Sequence, residues 1–160
     1  MVGCCGSGKS TLARRLAAMT GLPLIYLDNL WWRPDKTHIS REEFDRQLEA
    51  LLKGERWILD GDYSRTYEAR IRACDTVIFL DYGEAVCMEG IRARVGKARP
   101  DMPWTADSLA PELVEMVKNY GTEVRPKLLA LLQAYPVPQR LIFHTREEAE
   151  EWLQLSAAEL

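Results

Sequence analysis

The chain has 160 residues, 47% of them hydrophobic, and 21 basic against 24 acidic side chains give a net charge of −3. That length buries one good core and is too short to divide comfortably into two, so residues 1–160 are expected to form a single domain. The charge balance excludes a surface-wide attraction to polyanions such as DNA, and any phosphate binding must be local. No stretch approaches the ~20 apolar residues of a membrane span. The start, with Gly3, Cys4, Cys5, Gly6 and Ser7 in place of an apolar run, does not read as a signal peptide. A soluble, cytoplasmic protein without a membrane partner is expected. Cys4, Cys5, Cys74 and Cys87 lack the paired spacing of a zinc site, and adjacent cysteines seldom bridge each other. Reduced thiols are the expectation, with a redox role for Cys4 or Cys5 as the alternative.

Only Met1 and Val2 precede Gly3, although a Gly-rich phosphate loop ordinarily follows a buried strand. The first strand is therefore expected to be largely missing from the numbered sequence, through a truncated or misplaced start, because a sheet without its middle strand leaves neighbouring backbone groups unpaired. Helical spacing runs over 9–19, and a strand-like run at 24–27 ends at Asp28. After an irregular stretch at 31–38 come a helix over 41–53, a strand at 57–59 ending at Asp60, a helix over 66–73 and a strand at 76–80 ending at Asp81. A helix over 84–94 leads into a second irregular stretch at 95–107. Helical spacing over 110–134, interrupted near Gly121 and Pro126, precedes a strand at 140–143 ending at His144 and a helix over 146–155. Strands alternating with helices predict an α/β fold with a parallel sheet covered on both faces, whose ligands bind beyond the carboxyl ends of the strands. The four polar strand ends then face one crevice. The two irregular stretches, rich in Pro, Gly, Arg and Trp, are lids or binding segments on one reading and plain surface loops on the other.

Gly3-Cys4-Cys5-Gly6-Ser7-Gly8-Lys9-Ser10 fits the pattern G-x-x-x-x-G-K-[ST] and runs straight into the helical sequence beginning Thr11-Leu12-Ala13. Glycines let consecutive N–H groups turn inward around a phosphate, and the helix that follows adds the positive end of its dipole. Lys9 then reaches the β- and γ-phosphates and the Ser10 hydroxyl ligates Mg²⁺, so the stretch from Gly3 to Thr11 is the expected cradle for ATP. A Gly-rich turn without nucleotide is the alternative; glycines, lysine, hydroxyl and helix onset together count against it.

Asp60, at the end of Trp57-Ile58-Leu59, stands where a carboxylate beside the phosphate loop supports the metal. Asp81, after Val77-Ile78-Phe79-Leu80, has the same local pattern, but strand-end aspartates are also common caps, and Asp60 is the preferred candidate. Asp28 is followed at once by Trp31, Trp32 and Arg33. A carboxylate there can orient an acceptor hydroxyl and take its proton, with the tryptophans as a wall and Arg33 for an anionic group. Equally, Asp28 can cap a turn while the tryptophans pack. From Gly90 to Pro100, Arg92, Arg94, Lys97 and Arg99 occur without one acid. A closing lid brings such groups over the nucleotide, Arg92 for binding and Arg94 and Arg99 for the charge of the transferring group; a solvated helix face is the bland reading. Arg65 and Arg125 can each grip a substrate phosphate and are otherwise surface residues. His38 and His144 have no Ser or Cys partner arrangement and receive no role.

The order of this phosphate loop, Asp60-Gly61 and an Arg-rich stretch after Asp81 resembles the nucleoside monophosphate kinase, or adenylate kinase-like, branch of P-loop proteins. More closely, Tyr26-Leu27-Asp28-x-x-Trp31-Trp32-x-Pro34, Asp60-Gly61-Asp62-Tyr63-Ser64-Arg65 and Arg99-Pro100-Asp101-Met102 resemble the bacterial DNA topology modulation proteins of the FlaR type, over nearly the whole chain. The resemblance implies a three-layer α/β/α P-loop NTPase fold, with a five-stranded parallel sheet of order 2-3-1-4-5 and a small Arg-rich lid at about 90–107. It also implies ATP and Mg²⁺, with Asp60 supporting the metal and Arg65 meeting a substrate phosphate. Arg94 matches the second of two arginines that begin the family's lid. The first falls on Gly90, so the usual arginine against the adenine ring is missing, Arg92 is the nearest substitute, and base specificity is left open. Thr145 and Arg146 fall where related enzymes place a loop beside the base. The family label names an effect on DNA topology, which an acidic protein is expected to exert through metabolism or nucleotide pools and not by direct nucleic-acid binding.

The expected activity is thus an ATP-dependent small-molecule kinase whose acceptor and oligomeric state the sequence does not name. The alternatives are a nucleotide-dependent regulatory binding protein and an inactive P-loop remnant, the latter because of the short first strand and Gly90.

Overall fold

Strands buried on both faces need continuous apolar runs, and the middle of the chain supplies them. In the computed structural model, which describes residues 1–158, β3 (Ile58–Asp60) is buried throughout and β4 (Thr76–Leu80) at all but its first position. The result is an α/β fold in which every strand pair among the described residues is parallel. β4 lies between β1 (Val2–Gly3) and β5 (Gln139–Phe143), while β2 (Leu24–Tyr26) pairs with β3, giving a three-stranded and a two-stranded sheet. Val2 stands opposite Phe79, Gly3 opposite Leu80, and Tyr26 opposite Asp60. With only two residues in β1 there is no continuous ladder between the sheets; the Met1 nitrogen donates to the Leu59 carbonyl at 2.8 Å.

The helices follow their sequence signals. α1 (Lys9–Thr20) stops at Gly21, whose φ of 68° and N–H to the Ala17 carbonyl make a left-handed cap. α3 (Arg41–Leu52) starts where the Ser40 hydroxyl accepts from the Glu43 N–H at 3.1 Å, with acids in its first turn. One element differs from expectation. The second strand stops at Tyr26, and Leu27–Trp31 form a short helix, α2, so Asp28 sits in a first helical turn and not at a strand end. Helical spacing lets Leu27, Leu30 and Trp31 share one face in a cluster with Phe44, Leu48 and Leu59, which outweighs extending the strand.

A Ser64–Thr66 turn leads into α4 (Tyr67–Ala73). α5 (Glu84–Arg92) carries Cys87, Met88 and Ile91 on its buried face, which keeps Gly90–Arg92 helical. The irregular stretch expected at 95–107 begins at 93 and runs to 110, and the first residues of the lid expected at about 90–107 belong to α5. The break near Gly121 is a π-helical turn, Tyr120–Val124, between α6 (Pro111–Asn119) and α7 (Arg125–Ala134). Pro126 has no N–H to offer the Thr122 carbonyl, so an α-helical ladder cannot run through this point. α8 (Arg146–Ala158) packs on β5. The main core surrounds β4, and the smaller cluster lies over β2 and β3. Among the described residues no helix is long and apolar enough to cross a membrane.

Candidate functional site

The loop between β1 and α1 closes around a lysine. Gly3, Gly6 and Gly8 have φ of 137°, 85° and 99°, conformations that side chains rarely adopt. Lys9 is 6% exposed, and its Nζ donates to the carbonyls of Gly3 at 2.7 Å and Cys4 at 2.8 Å. Gly8 caps α1 without a side-chain bond, and the Leu12 N–H donates to the Gly8 carbonyl at 3.1 Å. The amides before Leu12 have no acceptor within the helix, so the positive end of α1 is open to an anion. Ser7 Oγ is buried with no partner among the described residues.

The sequence reading counted Gly90 as a lost arginine. Here it is a packing requirement: a Cβ on Gly90 would lie 1.9 Å from the Gly6 carbonyl oxygen, and one on Gly6 would lie 2.0 Å from the Cys87 carbonyl oxygen. α5 and the phosphate loop thus meet backbone to backbone.

Over the loop opens a cavity of about 460 Å³. Its floor is Gly6, Ser7, Gly8, Ser10 and Thr11, and six cations reach its walls: Arg14 and Arg15 from α1, Arg94, Lys97 and Arg99 from the 93–110 segment, and Arg146 from α8. Asp101 and Glu150 also line it, Glu150 pairing with Arg15, and the surplus of cations over carboxylates in a concave site concentrates anions there although the whole chain is acidic. Asp101, 3% exposed, binds Arg14 at 3.4 Å and Arg99 at 3.0 Å, so one carboxylate ties the segment above the cavity to the helix below it. Asn29 Nδ2 donates to the Pro100 carbonyl at 2.9 Å, and Trp104 meets Trp32 edge-on at 5.8 Å with Lys36 over its ring. Asp101→Ala is expected to cost about 2 kcal/mol, less than a fully buried pair because both arginines keep some solvent contact. Limited proteolysis should then cut within 93–110 faster than in the parent chain, and equal cutting would show that Asp101 does not hold the segment.

Carboxylates gather at the strand ends. Asp60 is 3% exposed, and its Oδ1 is buried without a partner among the described residues. An orphaned carboxylate oxygen beside a phosphate loop suits a hard cation, which takes oxygen ligands. Tyr63 Oη donates to Asp28 Oδ1 at 2.7 Å. Burial pushes the Asp28 carboxyl up, opposed by that hydrogen bond and by Lys9 and reinforced by Asp60 and Asp101. Burial likewise raises Asp62, which accepts from the Tyr67 hydroxyl. Arg70, 5% exposed, donates to the carbonyls of Gly61 and Asp62 at 2.8 Å and of Met1 at 3.3 Å, fastening the end of β3 to the start of the chain.

Of the residues singled out in sequence, Gly6, Ser7, Gly8, Ser10, Thr11, Arg94, Arg99 and Arg146 line the cavity; Gly3, Cys4, Cys5 and Lys9 do not line it, and Asp28 lies near enough to Lys9 and Asp60 to feel both charges. Others sit elsewhere. Arg92 is exposed and off the cavity wall. Arg65 forms a two-pronged pair with Asp45 at 2.7 and 2.8 Å, and Arg125 one with Asp81 at the same distances. Trp31 stacks on His38 and packs edge-on against Phe44 and Tyr63, a core role for that residue. Arg33 is exposed in a tight turn closed by Arg33 N–H to the Thr37 carbonyl at 2.8 Å. Sequence reasoning missed Arg14, Arg15, Arg70 and Asp101. Arg14 lies one helical turn beyond Ser10 and Thr11, a spacing that puts it on their face of α1. Compared with known proteins, the chain matches no protein-family model and no curated protein sequence.

Proposed function

We propose that this chain is an ATP- and Mg²⁺-dependent phosphotransferase, nucleoside monophosphate kinase-like, acting on a small acceptor. The observation that carries the reading is the Lys9 ammonium seated on the Gly3 and Cys4 carbonyls within a loop whose Gly6, Ser7, Gly8 and Ser10 floor an arginine-walled cavity. The proposal includes a P-loop NTPase fold of three layers, with the two sheets as parts of one sheet of order 2-3-1-4-5. The contact from the Met1 nitrogen to the Leu59 carbonyl, between β1 and β3, supports that order.

When bound, Mg²⁺ supplies charge neutralisation on the phosphate oxygens, and the Ser10 hydroxyl and Asp60 carboxylate are the residues that fit it. The loop amides and Lys9 hold the β- and γ-phosphates. Arg94 and Arg99 face charge that develops on the transferring group, while Arg14 and Arg146 hold the rest of the nucleotide and the 93–110 segment excludes water. The acceptor oxygen bonds to phosphorus as the bond to the departing diphosphate breaks. Tyr63 occupies Asp28 Oδ1, leaving Oδ2 to receive the acceptor proton, and the upward shift of the Asp28 pKa brings this base nearer to working pH. Arg65 and Arg125 are paired with carboxylates and line no part of the arginine-walled cavity, so neither is assigned to an acceptor phosphate. Direct duplex contact is not expected from a chain of net charge −3.

Asp28→Asn separates this role from stability. A carboxyl raised in the folded chain is protonated more readily folded than unfolded, so its favourable contribution is complete below the ordinary value near 4 and is lost as pH rises through the folded value. The variant should therefore melt higher than the parent at pH 7.5, with the gap closing toward pH 4.5, while transfer falls by about a hundredfold or more. A lower melting temperature at pH 7.5 would show that the ionised Asp28 stabilises the fold.

A second reading, a regulatory binder whose surface responds to nucleotide, draws on the contact of Trp104 with Trp32, which links the segment above the cavity to the 31–38 turn. γ-labelled ATP offered with Mg²⁺ and a panel of nucleosides, nucleoside monophosphates and sugars distinguishes the two. Label transferred to one class supports the kinase; ATP uptake without transfer to any of them supports the binder.

A further inference from the structure

The phosphate loop has a second exposed side. A separate cavity of about 290 Å³ is lined by Cys4 of the loop and Cys87 of α5, together with Asp81, Val117, Tyr120 and His144. Cys4 and Cys87 are 2% and 0% exposed as residues, and both border this cavity. Both are free thiols, both belong to the main core, and Cys87 Sγ donates to the Tyr82 carbonyl at 3.8 Å. Two residues on from Cys4, Gly6 meets the Cys87 carbonyl so closely that an added Cβ would lie 2.0 Å from its oxygen. Nothing in the phosphotransfer chemistry above uses either sulfur.

The geometry points to a hydroperoxide-responsive thiol pair, in which Cys4 and Cys87 are oxidised to a disulfide that fixes the phosphate loop to α5. The neighbouring Cys4 thiol, aided by Lys9 against the opposing effect of burial, holds the Cys87 thiol below its ordinary range and makes it the attacking sulfur of this pair; Cys5, lowered to about 7, does not line the cavity. The Cys87 thiolate attacks one oxygen of hydrogen peroxide, the O–O bond breaks, and the departing hydroxide takes up a proton to leave as water. The resulting sulfenic acid is attacked by the Cys4 sulfur, its hydroxyl leaves as a second water, and the S–S bond forms. Two thiols and one peroxide thus give one disulfide and two waters, with two electrons passing from sulfur to peroxide oxygen.

The cross-link draws Cys4 toward a helix that already touches the loop backbone. The Cys4 carbonyl accepts from Lys9 Nζ at 2.8 Å and from the Ser7 N–H at 3.2 Å, so moving it disturbs the lysine and the turn of the loop. Loss of nucleotide uptake on oxidation rests on the phosphate-loop reading above, whereas formation of the cross-link does not.

The test treats the reduced full chain with hydrogen peroxide, maps linked peptides by mass spectrometry without reduction, and titrates Mg-ATP before oxidation, after it, and after dithiothreitol. A Cys4–Cys87 peptide is expected, with ATP affinity falling by about tenfold or more and returning on reduction. Cys87→Ser, with Cys87→Ala as a second variant should the first not fold, is expected to bind ATP like the reduced parent and to keep that affinity after peroxide. A link confined to Cys4 and Cys5, no link at all, a link with unchanged affinity, or peroxide sensitivity retained in a folded Cys87 variant overturns the proposal. Should the reduced parent take up no ATP, the phosphate-loop reading fails, and the linked peptide still decides whether the thiol pair reacts as described.

Discussion

Lys9→Ala should reduce Mg-ATP affinity by about a hundredfold or more and abolish phosphoryl transfer. Its ammonium is enclosed, with Gly3 and Cys4 carbonyls at 2.7 and 2.8 Å, in a loop whose turn places other donors around the same point. Each charge-assisted bond to phosphate is worth about 1.5–3 kcal/mol, and every 1.4 kcal/mol is tenfold in affinity. The substitution also leaves two carbonyls without their donor, so some loss of stability accompanies it. Melting curves and near-UV circular dichroism separate the two effects: a variant that remains folded and still binds ATP as the parent does would remove Lys9 from the proposed machinery.

Gly90→Arg, which places the residue that the resemblance leads one to expect, should damage the protein instead of improving it. The added Cβ would fall 1.9 Å from the Gly6 carbonyl oxygen and 2.8 Å from Gly6 Cα, both backbone atoms that cannot rotate away. Either α5 shifts or the loop opens, at a cost of about 3 kcal/mol or more, which lowers the melting temperature of a chain this size by about 6–12 °C. Gly90→Ala isolates the Cβ from the charge and should already show most of the drop. A Gly90→Arg protein that melts with the parent and binds ATP more tightly would mean that the close approach of α5 to the loop is not a constraint.

The contrast at Gly90 shows where the sequence was readable. The turn from Gly3 to Gly8 and the helix that starts at Lys9 were legible because their signals are local: glycines, a lysine and a helix onset within a few residues, each with its own conformational reason. The alternation of strands and helices was legible for the same reason, through periodicity. What Gly90 touches could not be read that way, since Gly6 lies 84 positions earlier and only the packing of α5 brings them together. Asp101 was given no role for the same reason: it follows directly on a run read for its cations, and its partner Arg14 is distant in sequence. Arg65 and Arg125 looked like free cations because the carboxylates that engage them, Asp45 and Asp81, belong to other elements. The short helix at Leu27–Trp31 was missed because four apolar residues at 24–27 satisfy a strand pattern until the cluster around Phe44 and Leu48 is taken into account.

The seat at the start of α1 discriminates by phosphate count if it works as described. Calorimetric titration of the reduced full chain with ATP, ADP, AMP and adenosine, each with Mg²⁺, measures this directly. The expected result is saturable uptake of ATP at one site, weakening stepwise as phosphates are removed and falling at least about a hundredfold by adenosine. Equal affinity for ATP and adenosine, or no uptake of ATP at millimolar concentration, is the outcome with which a triphosphate seat at Lys9 is incompatible.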